Sequence, residues 1–440
     1  MSAPGPTASQ DGRAPPAPPP DTSREAPGRL PRVVSSLESQ NFRWLMGSII
    51  AGSTANWTEI VVRSWIVYDM TGSAIAMGSV QAAKQVPMLF IGLMGGVLAD
   101  RFDRKALIVS SQLASALIAA ILGVLVLTGY IEVWHFIIAS VFEGVVGAIQ
   151  QPARQALIPS VVAREHLMNA VALSGSVWTI SKLAGPALAG TATALSGPAS
   201  ALFLEAAMYG IGSASMARVR LRALDPETLA QNPHWRQPPR RGLGLIEGFR
   251  GYGYLRRNTV VGWLAILSLV PILFTFAQQT LAPIFAKDVL GIGAGGLGLL
   301  FGAPAIGAIF ATIYVAAADD VTRKGLITLF AIVLLGVATV VFGLSSWVWL
   351  SLGALALHGF AHMAYRAISQ TLLQIHTEEE YRGRVMAVWT ADRGLHPIST
   401  MAIAFAADAW GPSTAVASGI GCVLVALLVG AVSRTIRELD

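Results

Sequence analysis

A chain of 440 residues that is 54% hydrophobic and only 13% charged, with a mean hydropathy of +0.59, is far more apolar than a water-soluble globular protein. Its net charge of +6 suggests nucleic acid as a partner, but the basic residues sit in the short segments between long apolar runs, which excludes a continuous basic binding surface. A single cysteine, Cys422, excludes an intrachain disulfide and a Cys-based metal site.

Residues 1–40 come first. Nine of the 23 prolines fall within residues 1–33, among Ser, Ala and charges and without an apolar core, so a disordered tail is expected rather than a signal peptide. Apolar runs then recur at 44–68, 74–99, 106–128, 133–153, 167–190, 198–217, 259–285, 295–317, 326–343, 347–372, 385–407 and 412–432. A span needs about 20 apolar residues. The pattern predicts an all-α membrane protein with twelve transmembrane helices in two six-helix halves, 41–217 and 258–433. A linker over 218–257 joins them, and 434–440 forms a second tail. The linker carries nine arginines, and its 245–255 stretch reads equally as an amphipathic surface helix or a plain tether. With residue 1 inside, Arg101, Arg104, Lys105, Arg154, Arg323, Lys324, Arg384 and the linker arginines are all cytoplasmic. The outer loops keep one basic residue, Lys287. This bias places both termini in the cytoplasm of an inner-membrane protein.

The most informative segment is Gly-Val-Leu-Ala-Asp-Arg-Phe-Asp-Arg-Lys at 96–105, a charged hairpin between the second and third apolar runs. Charge does not sit in hydrocarbon without a partner, so the hairpin is a tight aqueous loop. A weak internal repeat supports two related halves: Asp100 with Arg104 and Lys105 recurs as Asp319 with Arg323 and Lys324. Gln155, Leu157, Glu165 and Ala172 recur as Gln370, Leu372, Glu380 and Ala387.

The 96–105 loop closely resembles the signature loop of the major facilitator superfamily. Three more segments resemble its enterobactin-exporter-like, transmembrane secretion effector branch: Trp-Ile-Val-Tyr-Asp-Met-Thr-Gly-Ser at 65–73, Gln-Pro-Ala-Arg-Gln-Ala-Leu-Ile-Pro at 151–159, and Arg-Gly-Arg-Val-Met at 382–386. The resemblance implies the major facilitator fold. It also implies secondary active transport by alternating access, with a gate at the cytoplasmic side made by Gly96, Asp100, Arg101, Arg104 and Lys105 meeting Arg384. The fifth-span run Gly185, Pro186, Gly190 resembles the motif of drug:proton antiporters, which implies export; small residues there let a partner helix approach closely. The chain departs from that pattern twice. Ser140 stands where the antiporters carry an arginine ahead of Glu143 and Gly144, and Asp103 replaces the usual loop glycine.

Charges within spans are rare and need a partner or a watery cavity, since each costs about 2.5–3.5 kcal/mol to insert. Here they are Arg63, Lys84, Lys182, Arg366 and Arg393, with Glu59, Glu143, Glu205 and Asp392. Glu59 lies nine residues below Tyr68, Lys84 ten below Ala74 and Glu143 ten below Val133, so the three share one depth. Arg63 stands one turn from Glu59. A proton site or a permanently paired set both fit, and Glu143, with no cation within a turn on its own helix, is the candidate proton carrier. His358, His362 and Arg366 share one face of the tenth span. Two His at this spacing suit a metal, but no carboxylate or Cys lies at a suitable position on that helix, so no metal is expected there. Asp392 and Arg393 offer a counter-charge to Arg366. Asn56, Trp57, Trp178, Gln278, Gln279 and Trp389 are candidates, with the two histidines, to line a substrate cavity.

No Gly-x-x-x-x-Gly-Lys-Ser/Thr segment supplies an ATP site and no catalytic constellation suggests an enzyme or a cofactor. The expectation is a monomer in the lipid bilayer, exchanging protons for a drug-like compound, siderophore or other secondary metabolite. An importer or facilitator of a small polar solute is the alternative, and a membrane sensor or scaffold is the alternative of another class.

Overall fold

The computed structural model describes the backbone of residues 32–101, 103–220, 258–317, 323–379, 381, 385–386, 389 and 392–439. Among these the only regular structure is helical, joined by short turns and without a strand. The helices are α1 (Gln40–Thr71), α2 (Ala74–Arg101), α3 (Arg104–Thr128), α4 (Val133–Val161), α5 (Leu167–Ser196), α6 (Pro198–Ala217), α7 (Thr259–Ile284), α8 (Gly293–Ala317), α9 (Lys324–Leu344), α10 (Val348–His376), α11 (His396–Trp410), α12 (Ser413–Val432) and the short α13 (Arg434–Arg437).

Local chemistry marks the ends. Ser39 caps α1 by accepting from the Phe42 amide at 3.3 Å, and Gly72, at φ 63°, stops it in the left-handed region that glycine enters freely. Asp103, the departure from the loop signature, proves to be the N-cap of α3, its carboxylate accepting from the Lys105 amide at 2.8 Å. A glycine would leave those amides without a side-chain acceptor.

Six helices, α3, α4, α7 with the π turn that continues it, α8, α9 and α12, are apolar and long enough to cross a membrane on those grounds alone. Others are diluted by polar residues, as α1 is by Asn56, Glu59 and Arg63. In one half α2 packs on α4 and α3 on α6; in the other α8 packs on α10 and α9 on α12. The halves meet through α5 with α8 and α2 with α11, pairs that exchange under a twofold relation. That is the expected pseudo-symmetric twelve-helix fold.

The start of α1 and the end of α12 share one face, here the near face; the turn after α1 lies at the far face. Toward the far face a single apolar cluster runs across both halves, from Val61, Ile66 and Phe136 to Leu297, Phe301 and Ile403. Toward the near face the buried residues divide into two separate clusters, one around Phe42, Ile108 and Leu157 and the other around Leu264, Ile332 and Leu372. Among the described residues, then, the apolar cluster at the far end joins the halves, while those at the near end each stay within one half; Leu89 of α2 still meets Gly394 of the second half on the near side.

Three boundaries differ from expectation. The presumed tail 1–40 is ordered from Arg32: a 3-10 turn over Arg32–Glu38 is pinned to α5 where the Ser36 hydroxyl donates to Asn169 at 2.6 Å. The presumed tail after 433 folds back as α13, burying Ile436 and Leu439, with the Gly325 amide donating to the Leu439 carbonyl at 3.0 Å. The eleventh span does not run as one helix from 385. A 3-10 turn over Asp392–Leu395 precedes α11, whose first turn holds Pro397, where its missing N–H leaves no bond unmade. The 245–255 stretch, Asp319, Arg384 and the tail before Arg32 lie outside the described residues.

Candidate functional site

Glu59 and Arg63 project from α1 into the first half, 2% and 3% exposed. The 3.6-residue repeat puts them on one face, and Arg63 Nη1 lies 2.9 Å from Glu59 Oε1. The other oxygen of Glu59 takes Lys84 Nζ of α2 at 2.6 Å, and that ammonium also donates to Asn56 Oδ1 at 3.2 Å. Lys84 can come this close because α4 has Gly144 at the crossing: a Cβ there would run into the Lys84 carbonyl.

The second amino group of Arg63 reaches Glu205 of α6 at 3.3 Å. Its first also approaches Ser140 Oγ at 3.5 Å. Ser140, where the antiporter pattern leads one to expect an arginine, thus has a guanidinium beside it in space, arriving from the first span. Glu143 accepts from Ser115 Oγ at 3.0 Å. One oxygen of Glu143 and one of Glu205 are buried with no hydrogen-bond partner, as is Nε of Arg63. Arg63 and Lys84 thus pair with Glu59 and Glu205, while Glu143 stands beside them with no ion pair among the described residues. A small cavity between α1, α2 and α4 is lined by Glu59, Arg63, Ser64, Lys84 and Ser140.

Lys182 does not join this set. It lies on α5 with its Nζ 5.2 Å above the Trp57 ring, and Trp57 meets Trp178 edge to face at 6.0 Å. Gly185 brings these helices together: a Cβ on it would lie 2.5 Å from the Trp57 Cβ and 2.8 Å from the Thr54 carbonyl. Gly190, five residues on, faces the other half, against the Ala294 and Gly295 carbonyls of α8 at 2.9 and 3.1 Å from the place a Cβ would take. The carbonyl of Pro186 faces Gly298 of α8 in the same way.

In the second half His358 turns toward α9, its Nδ1 3.2 Å from Thr339 Oγ1, so it belongs to a helix contact. His362 lies 6.4 Å from the Tyr365 ring, which is 6.5 Å from Trp389. Lys182, Arg366 and His396 all lie close enough to His362 to act on it electrostatically. Gln278 is buried in α7 and Gln279 half-buried. The side chains of Gly96, Asp100, Arg101, Asp392 and Arg393 lie outside the described residues, so the near-face gate has no observed geometry; Arg104 donates to the Ala156 carbonyl at 3.3 Å.

Sequence reasoning missed a second set of residues that joins the halves at the far face. Tyr68 OH donates to Asp288. Lys287 Nζ pairs with Asp69 at 2.6 Å. Asp408 of α11 accepts from the Ala74 amide at 2.5 Å and Ser73 Oγ at 2.8 Å, capping α2 from the other half. Polar residues at helix ends are ordinary in water, so composition alone does not single them out. The cues were Tyr68, Asp69 and Ser73 within the 65–73 segment and Lys287 as the one basic residue of the outer loops, and nothing local joins them to each other or to Asp288 and Asp408.

Against known proteins, residues 33–438 match one family, the transmembrane secretion effectors. The chain belongs to that family. It is 24% identical over 392 residues to the staphyloferrin A transporter of Staphylococcus aureus, covering 87% of this chain and 94% of that protein. It is 28% identical over 344 residues to the enterobactin exporter EntS of Citrobacter koseri, covering 78% and 79%. Among solved structures, the nucleoside transporter NupG superposes with a TM-score of 0.71 at 11% identity, covering 89% of this chain and 98% of that one. A bacterial homologue of the human lysosomal transporter Spinster, in an inward-facing and occupied conformation, gives 0.62 at 15%, over 89% and 97%. At such identities the likeness establishes the fold.

Proposed function

We propose that the protein is a proton-driven secondary exporter of a siderophore or a similar secondary metabolite, working as a monomer by alternating access. The relatives bearing siderophore names support the substrate class, and the family supports export. The arginine bias of the near-face segments makes that face cytoplasmic. The far-face bridges and the apolar cluster that crosses the halves there are then the closed outer gate of an inward-facing state. The halves 41–217 and 258–433 rock against each other, with 218–257 as their tether.

One observation carries the coupling. Glu59 and Glu205 pair with Arg63 and Lys84, Glu143 lies within electrostatic range of the same two cations, three acids to two cations, and two acid oxygens lack partners. An uncompensated buried charge is costly, so the cluster is neutral when it holds one proton. Glu143 and Glu205, each with a bare oxygen, are the carriers. When the halves rock, water reaches the cluster from the other side and the proton leaves.

The test uses inside-out vesicles loaded by respiration. Wild-type protein accumulates the siderophore and an uncoupler collapses the accumulation. Glu143→Gln and Glu205→Gln, which keep shape but cannot ionise, still bind substrate and lose the gradient-driven part. Accumulation only in right-side-out vesicles would mean import, and indifference to the uncoupler would make the cluster a structural lock.

A further inference from the structure

We propose that Ser115 is a positioning residue for the proton step: its hydroxyl turns Glu143 into the interior of the first half and sets the pH at which that carboxylate gives up its proton. This rests on the proton-exporter reading and adds a residue that acts in it through another.

Ser115 Oγ of α3 lies 3.0 Å from Glu143 Oε2 of α4, and both residues are buried. This is the one hydrogen bond of Glu143 among the described residues, since its other oxygen has none. The titratable groups within electrostatic range of Glu143 are Glu59 and Arg63 of α1, Lys84 of α2, and Glu205 and Tyr209 of α6. Arg63 pairs with Glu59 and Glu205, and Lys84 with Glu59, so both cations are engaged. Only Ser115 bonds to Glu143 itself. A hydroxyl carries one donor hydrogen and two lone pairs. It donates to the ionised carboxylate and accepts from the protonated acid, so the contact lasts through both states. The bond to the charged form is the stronger of the two. Ser115 therefore eases release of the proton, and without it release needs a higher pH.

The surroundings of Ser115 carry a second observation. α3 packs on α6 and α4, helices of its own half, so the bond draws the carboxylate into that bundle. One turn toward the near face, Gln112 of α3 accepts from Ser48 Oγ at 3.2 Å and donates to the Ser48 carbonyl at 3.4 Å. A Cβ at Gly52 or Gly212 would lie 2.7 or 2.9 Å from that amide, so glycine on α1 and α6 makes room for it. The repeat that relates Asp100 to Asp319 sets Phe330, Ala331 and Leu334 of α9 at the positions of Ser111, Gln112 and Ser115. The other half builds the same helix from apolar residues. Polarity along α3 is thus no demand of the fold, and it leads to the one buried acid that has no ion pair among the described residues.

The experiment follows the carboxylic-acid band of the purified protein by infrared difference spectroscopy as pH is stepped. The part due to Glu143 is identified by its loss in Glu143→Gln. In Ser115→Ala the midpoint of that band should rise by about 0.5–1 pH unit, the worth of one hydrogen bond, and the band should move to higher frequency. Ser115→Thr, which keeps the hydroxyl, should return both toward wild type. Where Ser115→Ala does not fold, Ser115→Cys, whose thiol is a weaker donor, should give a smaller rise. An unmoved midpoint in the folded variant, a threonine variant displaced as far as the alanine one, or no band that depends on Glu143 would each overturn the proposal. Vesicles indifferent to the uncoupler, with a midpoint that moves as expected, would refute the exporter reading and leave Ser115 acting on Glu143. Uncoupler-sensitive accumulation with an unmoved midpoint would refute this proposal alone.

Discussion

Gly190→Ala tests whether the far-face contact of α5 with α8 sets the balance between states. The added Cβ would lie 2.9 Å from the Ala294 carbonyl oxygen and 3.1 Å from that of Gly295, where ordinary contact begins at 3.4 Å. Both obstacles are backbone within a helix and cannot swing aside, so the helices must part by about half an ångström along a packed seam. Overpacking of this kind costs about 1–3 kcal/mol. The far ends of the halves separate in the outward-facing state, so the penalty falls on the far-face-closed state alone. The ratio of the two states should then shift toward the open one by about 5- to 150-fold. Spin labels at Tyr130→Cys and Trp347→Cys, 76% and 63% exposed at the far face of opposite halves, report the separation once the buried Cys422 is replaced by Ser. A longer distance population should grow, and transport should fall. An unchanged distance distribution with full transport would show that the contact does not bias the states.

Arg63→Met should lower stability by about 3–5 kcal/mol, because it strands Glu59 and Glu205 without their shared cation; a second change, Glu205→Leu, should recover part of the loss in thermal unfolding. A single variant that melts like wild type would mean that the cluster is not held by this bridge. Asp408→Ala removes the cap that α11 places on α2, worth about 0.5–2 kcal/mol, and should enlarge the same long-distance population between far-face labels, while Asp408→Asn keeps most of the cap. No change in label distance for the alanine variant would remove the latch. Asp100→Asn should reduce transport with normal expression and folding if the 96–105 loop gates the near face; undiminished transport would rule out that role.

What the chain determines without its fold is the one-dimensional part of the problem. Water and hydrocarbon sort residues by polarity along the sequence, so the apolar runs, the 96–105 hairpin, the arginine bias and the rarity of mid-span charge are all visible as composition. The i, i+4 relation of Glu59 to Arg63 is also legible, because helix geometry is local. Where polarity is not the deciding variable, linear reading slipped. The 385–407 run gives way to a turn and a shorter helix with Pro397 in its first turn, and the ends 32–38 and 434–437 are held by docking rather than by their own propensity.

Only the tertiary structure decided which buried charges share a site. Glu205 stands 142 positions from Arg63 in the chain yet accepts from it, whereas Lys182, another basic residue within a span, lies over the Trp57 ring. A helix presents its side chains around a full circle, and the neighbour each one meets depends on which helix the fold sets beside that face. The same holds for Ser140, which lacks the expected arginine in sequence and finds one in space from α1. It holds most for the far-face latch, where Asp288 and Asp408 are unremarkable in sequence and act only because the second half brings them against Tyr68 and the start of α2. Contacts between remote segments arise from packing of whole helices, and no local pattern encodes them.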